Sequence, residues 1–173
     1  PNDARPDVMV TTAPSPLGNA DLVFDQAVGH TKVGVGWATW SHGYIGDVYE
    51  TATYSQDQSN LTITLPANCL AFYLYVEPNV WSAFDFEVKS TTASILTQIT
   101  LPGVQGNAGA SGVGFWTDDL NDALLTVSVK EVLGQAKGFA VGEFGINVPE
   151  PQTYALVAAL GLLAFGAYRR FRK

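Results

Sequence analysis

The stretch that decides the fold class is residues 60–65, which read Asn-Leu-Thr-Ile-Thr-Leu. Apolar and polar side chains alternate there with a period of two, so that each set lies on one face of an extended strand. The same alternation returns at residues 84–89, Phe-Asp-Phe-Glu-Val-Lys, and at residues 125–130, Leu-Thr-Val-Ser-Val-Lys. These patterns predict strands with one face in an apolar core and the other in water.

Turn-forming residues separate the strand patterns at intervals of about 8–12 residues. The run from Leu70 to Val76 is apolar without alternation, which predicts a central strand covered on both faces. No helical periodicity longer than about two turns precedes residue 151. The sequence therefore predicts an all-β domain over residues 21–148, an antiparallel β-sandwich of jelly-roll or lectin-like type.

The first 20 residues contain four prolines and show no periodic pattern. We predict an extended, Pro-rich N-terminal arm over residues 1–20. A leader strand at Val8–Thr12 is the alternative.

Charge is divided unevenly along the chain. Residues 1–150 carry five basic and 16 acidic side chains, a formal charge of −11, whereas residues 151–173 carry four basic and no acidic ones. An acidic domain repels phosphate, which excludes a nucleic-acid-binding role. A single cysteine, Cys69, excludes an intrachain disulfide and a Cys-based zinc site. Because it opens the most apolar strand, we predict a buried, inert thiol.

The C-terminal segment has the pattern of a membrane anchor. Residues 151–168 form an uncharged run that would span about 27 Å as a helix, and tyrosines lie at its two edges. The basic cluster that follows is typical of the cytoplasmic side: Arg169, Arg170, Arg172 and Lys173. We predict one C-terminal transmembrane α-helix in a bacterial inner membrane, with the N-terminal domain in the periplasm or outside and the C-terminus in the cytoplasm.

Residues 149–173 also resemble a known sorting signal. The order Pro149-Glu150-Pro151, apolar span, Arg169-Arg170 is similar to the PEP-CTERM signal of exosortase substrates. Residues 60–148 resemble the ectodomain of some PEP-CTERM proteins. They contain Val-Gly-Glu-Phe-Gly at 141–145, shortly before the motif. The resemblance implies export, a bacterial envelope, cleavage near the motif by a sorting enzyme, a lectin-like sandwich and a link to exopolysaccharide or biofilm.

Candidate catalytic residues are few. Ser41, His42 and Asp47 contain the residue types of a hydrolase triad, but neighbours on an extended segment point to opposite faces. We therefore interpret His30 and His42 as turn or surface residues and predict no enzymatic activity. No cofactor is predicted.

Two further clusters have more than one interpretation. The acidic residues Asp118, Asp119 and Asp122 form a weak Ca²⁺ candidate, with a solvated turn as the favoured alternative. The aromatic residues Trp37, Trp40 and Tyr44 suit either sugar binding or protein docking at the surface, or packing in the core.

Small residues recur along the predicted span and would allow close packing against another helix. They are Ala155, Ala158, Gly161, Ala164 and Ala167. The leading functional hypothesis is a non-enzymatic accessory or scaffolding subunit of a larger membrane complex, photosynthetic or respiratory, which contacts its partner subunits through the helix, the sandwich or the N-terminal arm. The alternatives are an exosortase-sorted surface protein of the exopolysaccharide layer and a carbohydrate-binding, lectin-like module with a polysaccharide partner.

Overall fold

The computed structural model describes residues 3, 8–17, 20–53 and 56–148, and these residues form strands and connecting loops. The strands are β1 (Met9–Pro14), β2 (Asp21–Lys32), β3 (Asp47–Glu50), β4 (Ala52–Thr53), β5 (Gln56–Asp57), β6 (Asn60–Cys69), β7 (Ala71–Pro78), β8 (Ala83–Thr91), β9 (Leu96–Gln105), β10 (Ser111–Trp116), β11 (Leu124–Glu131) and β12 (Phe139–Asn147).

The strands form one long antiparallel sheet in the order β10-β7-β12-β3-β2-β6-β11-β8-β9, with β1 paired to β2 and a separate β4-β5 hairpin. The sheet curls until its two edge strands approach each other, and a bridge between Gln105 and Gly109 links the end of β9 to the segment before β10. The result is an all-β structure nearly closed into a sandwich, which confirms the predicted fold class for the described domain.

The alternating segments form strands because each buries its apolar side chains inside the curled sheet. Leu61 and Ile63 of β6 and Val127 and Val129 of β11 are fully buried, whereas their polar neighbours face outward. At about 25 cal/mol per Å² of buried apolar area, this core is the main source of stability.

A second, smaller apolar cluster lies on the outer face of β7, β12 and β3. Segment 33–46, which follows β2, folds back over this face, and Trp37 and Trp40 pack there against Val48 and Ala140. Only the C-terminal half of β7 is therefore covered on both faces. At its other half Tyr73 is 47% exposed, which corrects the prediction for 70–76.

The N-terminal segment contains a strand, β1, which pairs with β2 and corresponds to the leader-strand alternative. Asp3, which precedes β1 in the sequence, is also buried. Its backbone N–H donates to Asp47 Oδ2 (2.9 Å), and its Oδ2 accepts the Tyr49 hydroxyl (3.0 Å). His30 also lies in this cluster, 3.0 Å from Asp47 Oδ1, so the interpretation of His30 as a turn or surface residue was wrong.

The predicted anchor and the sorting motif lie outside the described residues, as do the small residues of the span. Within the described ranges, no helix has the length and apolar character needed to cross a membrane.

Candidate functional site

The sandwich has two chemically different ends. β7 runs from Ala71 to Pro78, and β12 runs antiparallel beside it, so that Asn147 pairs with Ala71 and Phe139 pairs with Pro78. We call the end at Ala71 and Asn147 the exit end, because β12, the last described strand, ends there. The end at Pro78 and Phe139 is the far end.

The far end carries a small polar cleft beside an exposed tryptophan. Trp81 is 70% exposed, although its loop is held by both neighbouring strands. The cleft has a volume of about 130 Å³ and is lined by Trp81, Trp37, Thr39, Glu50, Asn79 and Gly106, among others. A flat aromatic ring beside several hydrogen-bonding groups is a binding-site arrangement.

Hydrogen bonds on both sides hold the loop that carries Trp81 in place. The Asn79 N–H donates to the carbonyl of Gly138 (3.0 Å), and its side-chain amide donates to the carbonyl of Lys137 (3.2 Å). Gly106 closes the loop from the other side by donating to the Ser82 carbonyl (3.0 Å). A side chain at Gly106 would collide with the backbone carbonyl of Val80, so glycine permits this approach.

A buried carboxylate supports the floor of the cleft. Glu77 is fully buried, and its carboxylate accepts hydrogen bonds from the Trp37 indole (2.8 Å) and the Thr39 hydroxyl (3.1 Å). Burial raises the pKa of Glu77 above its ordinary value, and these donors, with the N–H groups of Gly109 and Ala108, oppose the rise. The network joins segment 33–46 and the loop before β10 to β7.

A second cleft of about 330 Å³ adjoins the first and shares Glu50 and Gly36 with it. Thr31 lines this second cleft and is 4% exposed, and its hydroxyl has no hydrogen-bond partner among the described residues. A buried, unsatisfied hydroxyl is uncommon in folded proteins and is available to a ligand group or a water molecule.

The exit end is apolar by contrast. Trp116 is 75% exposed and lies between two grooves of about 380 and 280 Å³. Tyr73, Phe115 and Ile146 line the larger groove. Ile95 and Leu124 line the smaller one, together with polar residues that include Asp122 and Thr92.

The aromatic residues singled out from the sequence belong to segment 33–46 and pack against the outer face of the sheet, where Trp37 also borders the far-end cleft. Trp37 and Trp40 are only 6% and 5% exposed, so their ring faces are covered and the core-packing alternative describes them. The Tyr44 hydroxyl donates to the carbonyl of Asp47 (3.0 Å), and burial raises the pKa of Tyr44 to about 12. The exposed indole rings of the described residues are Trp81 and Trp116, which sequence reasoning did not select.

Ser41 and His42 do meet, contrary to the prediction from an extended segment. His42 lies in a tight turn at φ 41°, which brings the Ser41 hydroxyl within 2.9 Å of its Nδ1. Its Nε2 lies 2.7 Å from Glu143 Oε1, whereas Asp47, the expected third member, contacts His30. Glu143 reaches His42 because it occupies a bulge in β12 at φ 52°.

The acidic residues form hydrogen bonds in their own turn and with the loop between β8 and β9. Asp119 Oδ1 accepts the Asn121 N–H (2.8 Å), and Asp122 accepts the Thr92 hydroxyl (2.8 Å) and the Ser94 N–H (3.2 Å), whereas Asp118 is exposed. Within the described part of the chain, no three His, Cys, Asp or Glu side chains are placed to hold a metal ion.

Cys69 is buried and free, as predicted. Burial raises the pKa of its thiol to about 11, which suppresses the reactive thiolate.

Comparison with known proteins gives a similarity in structure but no match to a family model or a curated sequence. Among solved structures, the chain is similar to TmCBM61, determined in complex with β-1,4-galactotriose. The identity is 12%, the alignment covers 73% of this chain and 86% of that one, and the TM-score is 0.44.

Proposed function

We propose that this protein is a non-catalytic carbohydrate-binding module whose binding surface is the far end. The observation that carries the proposal is the exposed ring of Trp81 beside the polar cleft of Glu50 and Asn79. The C–H faces of a pyranose ring are apolar and stack on an indole, while its hydroxyl groups need donors and acceptors at the ring edge. The far end provides both within one rigid loop cluster.

The charge of the domain selects among sugars. Residues 1–150 have a formal charge of −11, and Glu50 lies in the cleft itself. A uronate or sulfated polysaccharide would be repelled, and its carboxylate would compete with Glu50 for donors. Neutral glycans are therefore the proposed ligand class.

The anchor predicted from the sequence fits this role. The far end is opposite the strand terminus at Asn147, after which the apolar run begins. A protein held in the membrane through residues 151–168 would then present Trp81 away from the lipid, toward extracellular polysaccharide. A sorted surface protein of the exopolysaccharide layer would use the same surface.

The experiment is calorimetry with the full chain in a detergent that carries no sugar, against neutral gluco-, galacto-, manno- and xylo-oligosaccharides. Trp81→Ala is expected to weaken binding by about tenfold or more, which corresponds to about 1.4 kcal/mol at a central aromatic contact. Trp116→Ala, which removes the other exposed indole, is the matched control and is expected to retain binding.

Absence of binding to every neutral glycan, or equal loss in both variants, would contradict the proposal. Co-purification with a membrane-protein complex, together with no glycan binding, would favour the accessory-subunit hypothesis. Gly161→Leu would then weaken that association, since a large side chain would separate closely packed helices.

A further inference from the structure

The exit end exposes a set of large apolar side chains that no other described residue covers. They come from the β8–β9 and β10–β11 connections and from the strand residues that border them, the first of β9 and the last of β10. These residues are Ile95 at 60%, Leu96 at 61%, Trp116 at 75% and Leu120 at 65% exposure. Isolated exposed apolar residues are ordinary, but a group gathered at one end around two grooves marks an interaction surface.

The position of this surface indicates what covers it. β12 ends at Asn147 in the exit end, and the uncharged run begins at residue 151. The four residues from 148 to 151 reach at most about 14 Å when fully extended. If residues 151–168 span a bilayer, the exit end lies within that distance of the membrane surface.

We propose that the exit end rests on the membrane and inserts Trp116 and Leu120 into the lipid interface. Tryptophan is favoured at the boundary between headgroups and hydrocarbon, where its apolar ring is buried and its N–H keeps a polar partner. Leu120 at the tip of the neighbouring loop adds apolar area that is removed from water. The larger groove, lined by Tyr73 and Ile146, provides space for an acyl chain or headgroup beside the ring.

The charges around this surface define which lipids suit it. Residues 91–96 and 116–125 contain no Lys or Arg, and Asp118 and Asp119 are exposed there. Anionic lipid therefore gains no attraction and meets repulsion from these carboxylates. The contact is driven by apolar insertion and favours zwitterionic lipid.

The experiment measures the depth of each exposed tryptophan in the membrane. The full chain is reconstituted into phosphatidylcholine vesicles in which the acyl chains are brominated near the headgroup, because bromine quenches indole fluorescence at contact. Trp116→Phe is expected to remove most of the lipid-dependent quenching. Trp81→Phe, which removes the exposed indole of the far end, is the matched control and should leave the quenching in place.

Two further results complete the test. Replacing half of the phosphatidylcholine by phosphatidylglycerol is expected to leave the quenching unchanged or reduced. Quenching that persists in Trp116→Phe, disappears in Trp81→Phe, or is absent in the wild-type chain would overturn the proposal. Because glycan binding by Trp81 is measured without vesicles, failure here and failure of the carbohydrate proposal are separate outcomes.

Discussion

Glu77 is a buried acid, and burial makes its charged form less favourable in the folded protein than in the unfolded chain. Burial raises its pKa, so the folded protein holds the proton at a higher pH than the unfolded chain does. The stabilisation from this proton is complete below the ordinary pKa of about 4.3 for Glu and is lost as the pH rises through the raised value. The free energy of unfolding of the wild type, relative to Glu77→Gln, is therefore expected to fall with rising pH above about 4.3.

Urea denaturation at a series of pH values between about 4 and 7 measures this difference. Asp118→Asn, which removes one exposed negative charge at the exit end, is the matched control for the change in net charge. A difference between wild type and Glu77→Gln that rises with pH would show that the Trp37 and Thr39 hydrogen bonds outweigh burial, and a constant difference would show that the two effects cancel.

At the residue scale, sequence reasoning predicted burial better than binding. Cys69 and the alternating apolar side chains were assigned to the core because residue type alone indicates it. Trp81 was not selected, because the Gly-rich cluster around Trp37 was the stronger aromatic pattern in the sequence. The signal was its position just after Pro78-Asn79, since an aromatic residue within a turn has no strand neighbours to cover it.

At the scale of the elements, the conformation of the loop that carries Trp81 depends on one glycine, Gly106. A Cβ at Gly106 would collide with the Val80 carbonyl, and Val80 precedes Trp81 directly. Gly106→Ala is therefore expected to displace the loop, lower the free energy of unfolding by about 1–3 kcal/mol and weaken glycan binding by about tenfold. Calorimetry and urea denaturation on the same samples measure the two effects.

Gly114→Ala on β10 is the matched control for this change. Its added Cβ would lie 3.3 Å from Tyr73 Cβ at the nearest, a tight contact at the exit end. Glycan binding is expected to survive in this variant. Full binding by Gly106→Ala would show that the Trp81 loop is not the binding element.

The β1 strand is held by the buried cluster around Asp47. This carboxylate accepts the Asp3 N–H (2.9 Å) and contacts His30 Nε2 at 3.0 Å, so that its loss removes two buried polar contacts of the cluster at once. Asp47→Ala is expected to lower the free energy of unfolding by about 3 kcal/mol and to expose the amides of β1 to exchange. Urea denaturation and hydrogen exchange over Met9–Pro14 measure these effects.

Asp25→Ala is the control for Asp47→Ala. Asp25 Oδ1 accepts the Thr62 N–H (3.0 Å) at an exposed site, where water replaces the lost partner, so the cost is expected to stay below about 1 kcal/mol. Equal costs in the two variants would mean that burial of the Asp47 cluster adds nothing to its hydrogen bonds.

The strands could be predicted well from the sequence, whereas the segment that covers the outer face of the sheet could not. β6, β8 and β11 show the period of two because each has one core face and one solvent face. The covering of the outer face of β7 by segment 33–46 depends on contacts such as Trp37 to Glu77, 40 residues apart. Local periodicity carries no information about such a long-range pair. The contact between Ser41 and His42 was not predicted either, because it depends on a positive φ at His42.

At the scale of the whole molecule, the two proposed surfaces lie at opposite ends of the same strands. Trp116 pairs with Ala71 at the start of β7, and Trp81 follows Pro78 at its end. Eight residues of strand separate the two ends by about 23 Å at 3.3 Å per residue. Lipid at one end would therefore leave the other end open to a polysaccharide.

Glycan affinity is therefore expected to be the same, within about twofold, in detergent and in phosphatidylcholine vesicles, because lipid contact at Trp116 neither covers Trp81 nor alters the β7 that joins them. Binding of a neutral oligosaccharide that the detergent experiment has identified is measured for both preparations, with the vesicle value corrected for chains whose domain faces the lumen. A much weaker affinity in vesicles would contradict this prediction and has one of two causes, which Trp116→Ala distinguishes. If the loss of affinity persists in Trp116→Ala, the far end faces the lipid in an inverted orientation. If this variant restores the affinity, insertion of the exit end distorts the far end through the shared strands.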